Sequence, residues 1–208
     1  MFHYPLRIET VSPRHLWVRD ASGEPVATVE GGTPRDPGVV RVRGYSDGRS
    51  AGELLRVVDT ATEQGVPLET SEGRVAPPGE RFQAEALKRW YGGPGVPGSD
   101  AQQFHYHVLD PALGLLGLLR VETSWRGTWE IADASGTVVG RLAREGMFLR
   151  DSTVEFAGRV AMRLRRRSLL FGGMELDKTE PATFSREQER LFFACVVVML
   201  LASSSGQG

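Results

Sequence analysis

The chain of 208 residues contains one cysteine, Cys195. A lone thiol excludes an intramolecular disulfide, and nothing in the sequence points to an oxidising compartment. Set inside an apolar run, Cys195 reads as a small buried hydrophobe. The opening MFHYPLRIE has neither a basic segment nor an apolar stretch, so no signal peptide is expected and the cytoplasm is the default location. The formal net charge is -1, which leaves no global field to recruit nucleic acid or membrane. There is no Gly-x-Gly-x-x-Gly, Walker A or Gly-x-Ser-x-Gly motif, and no Cys/His catalytic pair. The prolines of Gly92–Gly98 remove N–H donors that a phosphate cradle would need. No acid/base carboxylate pair stands out, so neither an enzyme nor a cofactor is expected.

What is present is a soluble, turn-rich composition: 40% hydrophobic, 25% charged, with 25 glycines and 12 prolines. The organising stretch is Ser185–Ala202, SREQERLFFACVVVMLLA. Ser185 and Gln188 form a capping box, and Glu187 and Glu189 in the first turn suit the positive end of a helix dipole. The expected helix, Arg186–Ser203, is apolar on every side in its second half, so something apolar must surround it. A spanning helix needs about 20 apolar residues, and Leu191–Ala202 is shorter. A buried core helix is therefore preferred over a tail anchor.

Before that stretch, most of the chain alternates as strands do. Phe2–Val11 and Val39–Val42 are short extended candidates. His15–Glu30 reads as a hairpin turning at Asp20–Gly23, where Asp bonds nearby backbone N–H groups and Gly tolerates positive φ. Thr128–Leu142 repeats the unit around Asp133–Gly136, with Trp129, Ile131 and Leu142 matching Leu16, Val18 and Val29, which suggests an internal duplication. Further strands are expected at Phe104–Leu109, Leu113–Thr123, Val138–Arg144, Thr153–Phe156, Arg159–Arg167 and Leu169–Leu176. Between the halves, Ser50–Gln64 opens on Ser50-x-x-Glu53 and spaces Leu54, Leu55, Val57 and Val58 like a helix, and Gly79–Tyr91 is a second helical candidate. Residues 50–91 thus read as a helical insertion in one domain spanning 1–208, with Gly92–Ser99 as an internal linker.

A sheet with one apolar face and a helix apolar all round are satisfied together if the sheet wraps the helix. The fold class expected is α+β, mainly β: a closed antiparallel barrel around a hydrophobic C-terminal helix, with one or two extra helices in the middle. The Trp129–Gly136 hairpin, its twin at Leu16–Gly23, and the ending Leu176–Asp177–Lys178 … Arg190–Leu–Phe–Phe–Ala194 resemble the tubby-like barrel proteins. The nearest branch is the LURP-one-related and phospholipid scramblase one. That resemblance implies about a dozen strands closed around a terminal helix, and a non-enzymatic, lipid-associated or scaffold role. The scramblases' palmitoylated Cys cluster is absent. Phe171–Asp177 offers only Glu175 and Asp177 where their calcium stretch would lie, too few ligands for calcium.

Charge carries the main functional expectation. Arg141, Arg144, Arg150, Arg159, Arg163, Arg165, Arg166 and Arg167 stand against Glu145, Asp151 and Glu155. In Arg159–Arg167 the apolar Val160, Met162 and Leu164 alternate with Ala161, Arg163, Arg165 and Arg167. Guanidinium forks match phosphate oxygens, so Arg163, Arg165, Arg166 and Arg167 are the candidate contacts to an anionic phospholipid or membrane surface. An ordinary solvated strand face is the competing reading. Nucleic acid is not expected, because no aromatics interleave to stack bases. Two alternatives remain: a small-ligand or protein-interaction module using the barrel mouth, and a metal-dependent enzyme at His105 and His107, with Asp110, His3 and His15 as further donors.

Overall fold

Strand Arg159–Arg166 shows how this wall acquires two faces. Met162 and Leu164 are fully buried, whereas Arg163, Arg165 and Arg166 are exposed. A shift of one residue would bury the arginines, so the alternation fixes the register. The same logic holds around a closed ring. In this computed structural model, which describes residues 2–12, 14–31, 39–46, 49–59, 69–70, 73–74, 105–121, 128–145, 151–167, 173–179 and 184–205, fourteen strands and one helix appear among the described residues. They are β1 (Leu6–Ser12), β2 (His15–Arg19), β3 (Pro25–Gly31), β4 (Val39–Ser46), β5 (Arg49–Asp59), β6 (Glu69–Thr70) and β7 (Gly73–Arg74). The second half adds β8 (His105–Asp110), β9 (Gly114–Val121), β10 (Trp129–Asp133), β11 (Val138–Glu145), β12 (Asp151–Phe156), β13 (Arg159–Arg166), β14 (Gly173–Lys178) and α1 (Arg186–Ser205). All but β6 and β7 form one antiparallel barrel of 12 strands in chain order, closed by β1 pairing β14. Closure removes the exposed edges that an open sheet would present.

The barrel is filled by α1. From Leu191 to Met199 every residue is at most 2% exposed. These side chains share one cluster with inward residues from all 12 barrel strands, among them Ile8, Val18, Val29, Val42, Leu55, Val108, Leu119, Ile131, Leu142, Val154, Leu164 and Leu176. The helix is apolar all round because wall surrounds it on every side. Its start is capped as expected: Gln188 N–H donates to Ser185 Oγ at 3.2 Å, and Ser185 N–H to Gln188 Oε1 at 2.8 Å. Close approach to the wall depends on missing side chains. A Cβ at Gly117 would lie 2.2 Å from Ala132 O and 2.8 Å from Leu191, and one at Gly140 would lie 2.7 Å from Glu155 O and 3.1 Å from Phe192. No helix among the described residues is long and apolar enough to cross a membrane.

The hairpin duplication is repeated bond for bond. In β2–β3, Asp20 Oδ1 accepts from Ser22 N–H (2.9 Å), Ser22 Oγ–H (2.6 Å) and Glu24 N–H (3.1 Å). In β10–β11, Asp133 Oδ1 accepts from Ser135 N–H (2.9 Å), Ser135 Oγ–H (2.6 Å) and Thr137 N–H (3.0 Å). Gly23 and Gly136 take φ of 91° and 82°. Leu16 pairs Val29 as Trp129 pairs Leu142, and each hairpin has its irregularity just before the turn.

The middle of the chain corrects one expectation. The helix expected over Ser50–Gln64 is replaced, as far as the described residues reach, by strand β5 over Arg49–Asp59, paired with β4 and β8; residues 60–64 lie outside the described residues. Leu55 and Val57 face the core, while Val58 packs with Val39 and Leu109 in a separate buried cluster. A strand buried on both faces loses its period of two, and its apolar run then imitates a helix. Gly52, at φ 97°, and breaks in register against β4 disturb the alternation further. Glu53 caps nothing; it pairs Arg56 at 2.9 Å and Arg41 at 3.6 Å. The short β6–β7 pair also falls in the span read as helical. The second helical candidate, Gly79–Tyr91, and the linker Gly92–Ser99 lie outside the described residues.

Candidate functional site

The arginines of β13 stand between two partly acidic strands. Arg163 lies across from Asp177 on β14 and Thr153 on β12; Arg165 lies across from Glu175 and Asp151; Arg166 lies across from Met174. Opposite charges facing across strands contribute roughly 0.2–1 kcal/mol each, and solvent lowers that for exposed groups. Arg167, just past the strand, reaches Glu175 at 3.9 Å. Arg163, Arg165 and Arg166 close no ion pair within 4 Å among the described residues. Over β12–β14 and Arg167, the basic Arg159, Arg163, Arg165, Arg166, Arg167 and Lys178 outnumber Asp151, Glu155, Glu175 and Asp177. Arg141 belongs elsewhere, bound at 3.2 Å to Glu130, which also holds Arg120. The side chains of Arg144 and Arg150 lie outside the described residues.

His107 is fully buried in the wall, paired with Val58 and Leu118 on the neighbouring strands, and the His105 side chain lies outside the described residues. Asp110 turns away from metal chemistry. It accepts from Ala112 N–H (2.8 Å) and Leu113 N–H (3.1 Å) and is ion-paired with Arg190 of α1. No group of three or more His, Cys, Asp or Glu able to hold a metal occurs among the described residues. Cys195 is fully buried, and burial drives its thiol pKa well up, which makes it a poor nucleophile.

A second site, which the motifs did not reveal, lies where α1 enters the barrel. A cavity of about 740 Å³ opens between the first turn of the helix and the rim of β2–β5. Ligand pockets typically span roughly 300–1,000 Å³. Apolar walls come from Phe2, Pro25, Val26, Tyr45 and Leu54; polar and charged groups come from His3, Asp20, Glu24, Arg186, Glu189 and Arg190. Arg190 is held by Asp110, and the first accepting oxygen of Asp20 is taken by its own turn. Those turn bonds, the Ser22 hydroxyl foremost, hold the Asp20 carboxyl below its ordinary range. Glu189 differs from these. It is 2% exposed, and its Oε1 has no hydrogen-bond partner among the described residues. The buried Tyr4 phenol lies against the same carboxylate; burial first, then the Glu189 charge and a hydrogen bond to that carboxylate, push its pKa far up. The sequence signal for this site was present but weak, a Glu one residue before Arg190 at the margin of an apolar run.

Comparison with family models, with characterised proteins and with solved structures finds no match for this chain.

Proposed function

We propose that the chain is a non-enzymatic, lipid-associated or scaffold protein of the tubby-like kind, in its LURP-one-related and scramblase-like branch. In this reading it meets anionic phospholipid headgroups from the cytoplasmic side, peripherally, through Arg163, Arg165, Arg166 and Arg167. One observation carries the reading: at the end of β13 these guanidinium groups are exposed, and three of them close no ion pair among the described residues. A closed barrel filled by its terminal helix is also the arrangement that the family resemblance implies. Each basic residue near an anionic surface contributes on the order of 1 kcal/mol, so four would raise affinity about a thousandfold. The acidic neighbours Asp151, Glu175 and Asp177 reduce that figure.

Co-sedimentation with phosphatidylserine and phosphatidylcholine vesicles tests the proposal. Binding is expected to the anionic vesicles alone, to weaken with salt, and to be lost in the triple variant Arg163→Glu, Arg165→Glu, Arg167→Glu. Binding that ignores those changes contradicts it. A second reading, a small-ligand module working at the barrel mouth, is favoured by the cavity beside Glu189.

A further inference from the structure

The two halves of the barrel differ on the outside of the wall. Cross-strand partners share a face of a sheet, so the register traces a row around the exterior. In one half it runs Asp151, Arg165, Glu175, Arg7, Arg19, across β12, β13, β14, β1 and β2. In the other it runs Val39, Val58, His107, Leu118, Ala132, across β4, β5, β8, β9 and β10. Arg19 and Ala132 each stand just before the aspartate of a matching turn, Asp20 or Asp133, which makes the two rows equivalent. The first row is charged at every position, and none of its members is buried. The second carries four apolar side chains and a histidine, each at most 5% exposed. It nonetheless faces away from α1, since Val57, Val108 and Ile131, the adjacent residues along those strands, belong to the core. Val39 and Val58 pack with Leu109, and Leu118 with Ala132, in clusters that contain wall residues alone among those described. Residues lying side by side in a sheet do not cover their own outer surface. Another part of the same chain therefore lies over this row. The cover ends past β10, because the next partner, Val138 on β11, is 53% exposed.

We propose that the outer face of β4, β5, β8, β9 and β10 is a docking surface for the chain's own residues 79–91. The connections argue for it. β5 and β8 pair directly, yet 45 residues, 60–104, join them; the equivalent strands β13 and β14 are joined by six, 167–172. The long connection leaves from and returns to the covered half, and the short one serves the charged half. The sequence argues for it too. Within the long connection, Phe82, Ala86, Leu87 and Trp90 fall along one side of a helical pattern, with Arg81, Glu85 and Lys88 on the other. Thirteen residues in that pattern extend about 20 Å, and five strands about 4.8 Å apart span about 19 Å. Docking leaves open one of two equivalent faces, the one that bears Arg163 and Arg165. The inference goes beyond the arginine reading and does not depend on it.

The test follows the reaction of single thiols with N-ethylmaleimide in the full-length protein. Cys195, fully buried in the core, reports whether the barrel is intact. Val58→Cys should react at least a hundredfold more slowly than Arg165→Cys, its counterpart on the exposed row. Adding Phe82→Asp, Leu87→Asp and Trp90→Asp should speed the reaction of Val58→Cys at least tenfold, with Arg165→Cys unchanged and Cys195 still protected. Should those aspartates expose Cys195, the barrel has opened and a cross-link decides instead. Benzoylphenylalanine in place of Trp90 should then join, on irradiation and within one chain, to residues 39–59, 105–121 or 128–133. Rapid reaction of Val58→Cys in the otherwise unaltered chain overturns the proposal. So does protection that the aspartates leave unchanged in an intact barrel, and so do cross-links formed elsewhere or between two chains.

Discussion

Asp20 and Asp133 close matching turns six strands apart on a ring of 12, so they stand on opposite sides of the barrel at the same end. Each accepts from the serine two residues on and from a backbone N–H four residues on, and each is followed three residues later by a glycine at positive φ. The ring therefore has a pseudo-twofold character about the helix, which fits a duplicated half-barrel.

Equivalent positions should have equivalent energies. Asp20→Ala and Asp133→Ala are each expected to lower stability, and by similar amounts, since each removes the acceptor of three turn donors. Sites this far apart should add to within about 0.5 kcal/mol. Urea denaturation of both single variants and the double variant checks this; one silent site would argue against the equivalence.

The Asp20 carboxyl should titrate below its ordinary value of 3.8, because the Ser22 hydroxyl and the turn N–H groups favour its charged form. A depressed folded pKa gives a contribution that is complete above the unfolded value and lost as pH falls through the folded one. Carbon-detected NMR titration of Asp20 measures it directly. A midpoint at or above the ordinary value would contradict the turn geometry. Tyr4 provides the alkaline counterpart. Its phenol is held neutral by burial and by Glu189, above the ordinary 10.0. Its share of stability is complete below the unfolded value and declines as pH rises beyond it. Absorbance titration should find one tyrosine fewer ionising in the folded protein than in the unfolded chain, and as many as in folded Tyr4→Phe.

Arg190 and Asp110 tie the helix to the β8–β9 turn. Arg190→Met leaves a carboxylate 3% exposed without its cation. Breaking a buried pair in this way costs about 3–5 kcal/mol. The companion Asp110→Asn, Arg190→Met should recover part of the loss in chemical denaturation. No recovery would mean that Asp110 serves its turn alone.

Gly117→Ala should cost about 1–3 kcal/mol, since the added methyl meets backbone at Ala132 and the Leu191 side chain. Thermal denaturation reads this, and a neutral outcome would show that helix and wall are looser than described.

Much of this fold can be read locally. The Ser185–Gln188 box, the two Asp-x-x-Gly turns and the alternation in β13 are contained within a few residues each, and all appear as expected. β5 imitates a helix in sequence because its apolar residues are buried on both faces, so burial erases the strand period. The candidate sites were less legible. Arg165 faces Asp151 and Glu175 only across paired strands, and Arg190 meets Asp110 from a distant part of the chain, so no local spacing announces either placement. Glu189 reads locally as a helix-start acid; only the wall around it makes it buried.

The central claim is that α1 is the barrel's own core. Native-state hydrogen exchange on the full-length chain in detergent-free buffer tests it most directly. The account predicts that amides from Leu191 to Met199 exchange only through global unfolding, with the same free energy as those of Ile8 and Ile131 and no response to added vesicles. Exchange of the helix at distinctly lower free energy than the wall, or protection that appears only with lipid, would contradict it.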